Sequence, residues 1–212
     1  MRPMPASDFE HVFQPGDGSW TLLLLHGTGG DENDLVPLGR QLAPGANLLS
    51  PRGKVLENGV SPRFFRRLAV GALDIPDLLE RTDELRAWVG EAAAEYGLDP
   101  ARIVALGLSN GANIAVSLLF RHPGLLAGAA LLRPMLPYEP PEDLDLNGRS
   151  VLIAAGGRDP YVPASESVSL GKAIEAAGAE LDMHLNPEAG HGLTEGDLVE
   201  TSRWLTGLLA TD

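Results

Sequence analysis

Residues 103–111 read Ile103-Val104-Ala105-Leu106-Gly107-Leu108-Ser109-Asn110-Gly111. The apolar run at the front has the length and continuity of a strand buried on both faces. The segment behind it, Asn110 to Arg121, opens on small residues (Gly111, Ala112, Ala115) and reads as a helix. Between the two lies a G-x-S-x-G turn. A serine on a sharp strand-to-helix turn projects its hydroxyl above the sheet, and the flanking glycines are needed where strand and helix approach too closely for side chains. The competing reading is a serine that merely caps a helix at a glycine-rich turn, so the surroundings decide.

Working outward, strand-like and helix-like runs alternate, the pattern of an α/β fold with a mostly parallel central sheet and helices on both faces. Trp20 to Leu25 is a continuously apolar strand, followed by a glycine-rich turn from His26 to Asn33, a short helix near Asp34–Leu42 and a strand at 47–50. Pro51 to Leu73 shows no clear period and reads as a long excursion at the rim, where function often resides. Asp74 stands at an N-cap position, Leu78, Leu85, Trp88, Val89 and Ala92 recur at helical spacing, and Gly97 marks the end. Strands are expected at Ala127–Leu132, Val151–Ala155 and Glu180–Asn186, with a helix near Ala164–Ala177. Thr194, with Asp197 three residues on, caps a final helix. No repeat is visible, and 212 residues suit one domain over residues 1–212 with no large lid domain.

Composition narrows the possible partners. Sixteen basic against 29 acidic residues give a formal charge of −13, the wrong sign for a nucleic-acid binder. No apolar run approaches the roughly 20 residues of a membrane span, so membrane insertion is not expected. Cysteine is absent, which removes disulfides, thiolate metal sites and cysteine nucleophiles together. The N-terminus lacks the apolar stretch of a secretory signal, and the cytoplasm is the expected compartment. No cofactor and no metal are implied, and both monomer and homodimer stay open.

A nucleophilic serine needs a base, and five histidines are available. His184 alternates with apolar neighbours in a strand and should face solvent; His122 suits the end of the helix after Ser109; His11 lies in a polar stretch. His191, in Gly190-His191-Gly192 after the last strand, is the candidate base. The orienting acid should lie between serine and histidine in the chain. Asp143 and Asp145 sit in a proline-rich loop and Asp182 within a strand, whereas Asp159 follows the strand Val151–Ala155 through Gly156-Gly157-Arg158, at the carboxyl edge where open α/β sheets bind ligands. Ser109, Asp159 and His191 are therefore the candidate catalytic residues.

His26-Gly27-Thr28-Gly29-Gly30 follows the first buried strand. The N–H of Thr28 and that of Asn110 are the candidate oxyanion-hole donors. A phosphate loop is the rival, but neither G-x-G-x-x-G nor a G-K-[ST] motif is present. His26 reads as a structural pin for this loop.

With these pieces placed, the chain resembles the phospholipase/carboxylesterase branch of the α/β-hydrolase superfamily, which includes acyl-protein thioesterases. The likeness rests on Leu24-Leu25-His26-Gly27, the Ser109 turn, Arg158-Asp159-Pro160-Tyr161-Val162-Pro163 and Gly190-His191-Gly192. Acyl-protein thioesterases usually carry Gln and two glycines after the serine, where Asn110, Gly111 and Ala112 stand here. Gly59 to Arg67 looks more like a bacterial carboxylesterase subgroup.

The resemblance implies an α/β-hydrolase fold and a serine carboxylesterase acting on small to medium carboxylic esters through an acyl-enzyme. Thioesterase or lysophospholipase-type activity is the alternative; a non-catalytic binding module is a third reading, of another class. Walls for a substrate pocket are expected from residues 51–73 and 134–149, with Phe64, Phe65, Met135, Leu136 and Tyr138 as candidates. Arg63, Arg66 and Arg67 are expected to pair with acids at the surface.

Overall fold

A computed structural model of the chain describes residues 9–210. In chain order the elements are β1 (His11–Gln14), β2 (Thr21–Leu25), α1 (Val36–Leu42), β3 (Asn47–Pro51), β4 (Val55–Glu57), β5 (Ser61–Arg63), β6 (Arg67–Ala69), β7 (Ala72–Leu73) and α2 (Ile75–Tyr96). They continue as β8 (Ile103–Leu108), α3 (Asn110–Arg121), β9 (Gly128–Leu132), β10 (Ser150–Gly156), α4 (Ala164–Ala176), β11 (Glu180–Asn186) and α5 (Glu195–Leu209).

Among the described residues, seven strands form one sheet in the order β1-β3-β2-β8-β9-β10-β11, and only β1 runs antiparallel to its neighbour. The apolar runs are explained by this placement: with helices on both faces, successive residues point into different cores. Leu23 and Leu25 join Ala105, Leu131 and Ile153 in one core with α2, α3 and α4. Leu22 and Leu24 join Val104, Leu106, Leu132 and Leu152 in the other, with α1 and α5. This is an α/β-hydrolase arrangement, and no large lid domain is present among the described residues.

The helix ends follow their sequence signals. Asp74 caps α2 by accepting the Asp77 N–H at 3.2 Å, and Gly97 ends it in the left-handed region at φ +67°. Thr194 and Asp197 form a reciprocal capping box at the start of α5.

Three local readings are corrected. The excursion 51–73 contains two hairpins, β4–β5 and β6–β7, each a separate two-stranded sheet; strands of two or three residues are too short to show a period. The N-terminal stretch carries an edge strand: Phe13 stacks on Tyr96 with centroids 4.1 Å apart, and His11 Nε2 meets the Tyr96 hydroxyl at 2.7 Å. His184 is not on a solvated face. It is half-buried, with Nε2 3.6 Å from Asp197 Oδ1 of α5, while its neighbours Met183 and Leu185 are the exposed ones. Alternation on an edge strand does not say which face is covered when helices flank both.

Candidate active site

The turn after β8 is held as its glycines require. Ser109 adopts φ +53°, a conformation that only a tightly determined surrounding sustains in a residue with a Cβ. A Cβ on Gly107 would stand 2.6 Å from the Gly111 carbonyl oxygen, and one on Gly111 would overlap the Leu25 carbonyl. The Ser109 N–H donates to Leu132 O of β9 at 2.8 Å.

His191 Nε2 lies 2.9 Å from Ser109 Oγ, and its Nδ1 lies 2.7 Å from Asp159 Oδ2. The Asp159 side chain is fully enclosed, and its Oδ1 accepts the N–H groups of Tyr161 and Val162 at 2.8 and 3.0 Å. Those two bonds fix the carboxylate, so the Asp-Pro-Tyr-Val segment serves as its clamp. The Tyr161 ring stands edge-on to the imidazole, 5.1 Å away. Three loops that lie far apart in the chain thus bring Ser109, His191 and Asp159 into one hydrogen-bonded row.

Thr28 and Asn110 both line the cavity beside Ser109. No partner for either N–H is found among the described residues, so both are free to donate. His26 is the pin expected of it: Nδ1–H donates to Gly27 O at 2.7 Å, and Nε2 accepts the Gly53 N–H at 2.9 Å. That arrangement defines a neutral imidazole, and burial pushes its pKa below the ordinary value.

The rim segment continues this bracing. Arg63, expected at the surface, is 3 % exposed. Its Nη1 donates to Thr28 Oγ1 at 2.7 Å and its Nε to Phe65 O at 3.1 Å, while the Gly29 N–H reaches Pro62 O at 2.9 Å. Burial pushes the Arg63 pKa down. All three arginines pair with acids, Arg63 from its buried position: Arg63 Nη1 lies 3.8 Å from Glu57, Arg66 meets Asp74 and Asp77, and Arg67 forks onto Glu57.

A cavity of about 510 Å³ opens over Ser109, with apolar walls from Val70, Leu73, Leu108, Met135, Val162 and Leu193. Of the expected pocket residues only Met135 lines it. Phe64 and Phe65 are buried in the larger core, where the Phe64 N–H donates to Asn110 Oδ1 at 2.7 Å. Leu136 and Tyr138 pack against the same core, with the Tyr138 hydroxyl 3.0 Å from Ser117 Oγ. A loop near a site can supply the packing beneath it as well as the wall. Among the described residues, no group of three or more His, Asp or Glu side chains could hold a metal ion.

Residues 69–199 match the Dienelactone hydrolase family. The chain belongs to that family. A putative hydrolase of Bacillus subtilis, MhqD, is 44 % identical over 92 % of this chain and 96 % of its own. Among solved structures, a Bacillus cereus carboxylesterase superposes with a TM-score of 0.92 at 48 % identity, covering 95 % of each chain. A carboxylesterase from Mesorhizobium loti does so with 0.83 at 37 %, covering 91 % of this chain and 90 % of its own. Membership of the dienelactone hydrolase family makes the protein an enzyme that hydrolyses, and its carboxylesterase relatives support ester hydrolysis. No helix among the described residues is long and apolar enough to cross a membrane.

Proposed function

We propose that the protein is a serine carboxylesterase of the cytoplasm that cleaves small to medium carboxylic esters through an acyl-enzyme. The observation that carries this reading is the row Ser109–His191–Asp159, with contacts of 2.9 and 2.7 Å. His191 accepts the Ser109 proton through Nε2 as Oγ attacks the ester carbonyl carbon. Asp159 accepts a hydrogen bond from Nδ1–H, stays ionised and stabilises the imidazolium. The N–H groups of Thr28 and Asn110 donate to the oxygen that becomes negative, each such donor contributing about 3–4 kcal/mol. His191 then returns its proton to the leaving alkoxide, and water activated by the same imidazole frees the acid.

The substrate is a small molecule, neither nucleic acid nor bilayer, because the cavity of about 510 Å³ is of small-molecule size and the chain is strongly acidic. The test is hydrolysis of p-nitrophenyl esters from acetate to laurate by the wild type and by Ser109→Ala, with fluorophosphonate labelling alongside. Wild-type turnover that falls by several orders of magnitude in the variant is expected. Equal rates for the two proteins, or no label on Ser109, would sink the reading.

A further inference from the structure

Arg133 follows β9 directly and is 1 % exposed, with its backbone at φ +59°. For a residue with a side chain, that conformation is costly. Its guanidinium is fully engaged. Nε donates to Gly190 O at 3.0 Å and Nη2 to Gly192 O at 2.8 Å, the two carbonyls on either side of His191. Nη1 donates to Ala154 O at 3.0 Å, and Nη1 and Nη2 reach the two Asp197 oxygens at 3.2 and 2.6 Å.

Asp197 is itself completely buried and accepts both the N–H and the hydroxyl of Thr194 through Oδ2, at 2.7 and 2.9 Å. Burial would raise its carboxyl, but the bonds from Arg133 and Thr194 outweigh burial and hold it below the usual range. His184, at 3.6 Å, is too far to take over the role of Arg133.

Two features here work against stability. A buried ion pair is often no better than a well-packed apolar pair of the same volume. The left-handed backbone adds strain. Both converge on one outcome, the fixing of the peptide groups that carry His191. The neighbouring residue, Leu132, accepts the N–H of Ser109. Consecutive residues at the end of β9 therefore hold the serine and the histidine loop.

We propose that Arg133 is a positioning residue: through the carbonyls of Gly190 and Gly192 it sets the imidazole of His191 against Ser109 Oγ, with Asp197 fixing its guanidinium. The proposal rests on the reading of Ser109 and His191 as nucleophile and base.

Three variants test it: Arg133→Met, Arg133→Lys, and Arg133→Met combined with Asp197→Asn. The double variant removes both buried charges together and leaves an amide oxygen for Thr194. Competent sites are counted by fluorophosphonate labelling to completion, and kcat, KM for a p-nitrophenyl ester, labelling rate and Tm are measured for each protein.

Loss of positioning predicts that kcat per labelled site falls about 100-fold, the scale of a misplacement of roughly 1 Å, with KM within about twofold. The labelling rate should fall in parallel. Arg133→Lys should recover only part, because an ammonium cannot bridge two carbonyls and a carboxylate in a fixed plane. If Arg133→Met does not fold, the double variant carries the same comparison. Wild-type kcat per labelled site in any folded variant, whatever its Tm, overturns the proposal and leaves Arg133 a purely structural residue. A wild-type protein that neither labels nor turns over ester overturns the reading of Ser109 instead.

Discussion

The guanidinium of Arg63, on β5, donates to the hydroxyl of Thr28, on the loop after β2, at 2.7 Å. A charged side chain buried at the rim is thus bonded to a threonine that lines the cavity. We expect Arg63→Gln to reduce kcat of ester hydrolysis about tenfold, a fraction of the 10²–10³ that follows removal of an oxyanion donor outright. The check is steady-state kinetics on one p-nitrophenyl ester. Unchanged kcat would mean that the loop holds its shape through His26 and Gly29 alone.

Phe64 and Met135 should separate stability from selectivity. Phe64 is core, so Phe64→Ala should cost about 3–5 kcal/mol in denaturant unfolding, with the ester chain-length preference of the residual folded protein unchanged. Met135→Ala enlarges the cavity and should shift the preference towards longer acyl groups with little loss of stability. The ester panel and a urea titration read both effects.

Gly111 permits the close crossing of α3 over β2. Gly111→Ala drives a methyl group into the Leu25 carbonyl, a backbone clash worse than ordinary overpacking, which costs roughly 1–3 kcal/mol. Little soluble protein, or a Tm lowered by many degrees, is the expected outcome. A variant with wild-type Tm would show that helix and strand can part there.

Protonation of His26 gives a pH signature. Its folded pKa is depressed by burial, so the unfolded chain binds the proton more readily. The neutral ring contributes its full stability above the unfolded value of about 6.5 and loses it as pH falls towards the folded one. Tm should decline between pH 8 and pH 5 more steeply for the wild type than for His26→Gln, whose amide can keep both contacts. Parallel curves for the two proteins would contradict the assignment.

Much of this architecture was legible in the sequence, and the reasons differ by residue. Ser109, Asp159 and His191 each follow a strand and sit among glycine or proline, so their placement was a local signal. Asp74, Gly97 and Thr194 announced helix ends by chemistry that operates within four residues. Arg133 and Arg63 gave no such signal: each is one arginine in an acid-rich chain, and the loop residue each braces lies far off in sequence, Gly190 57 residues from Arg133 and Thr28 35 residues from Arg63. The burial of Phe64 and Phe65 was hidden for a related reason. Nothing local distinguishes an aromatic beneath a loop from one on its inner wall.

The hairpin β6–β7 shares no pairing with the central sheet, yet its Val70 and Gly71 stand at the cavity. Leu68 and Val70 are largely exposed there. Part of the cavity wall therefore stands on a stretch whose replacement leaves every register of the seven-stranded sheet untouched. A lineage, or a laboratory library confined to residues 68–72, could trade one clientele for another while the reacting groups stay where they are. Novelty in this enzyme is cheapest to reach at its doorway.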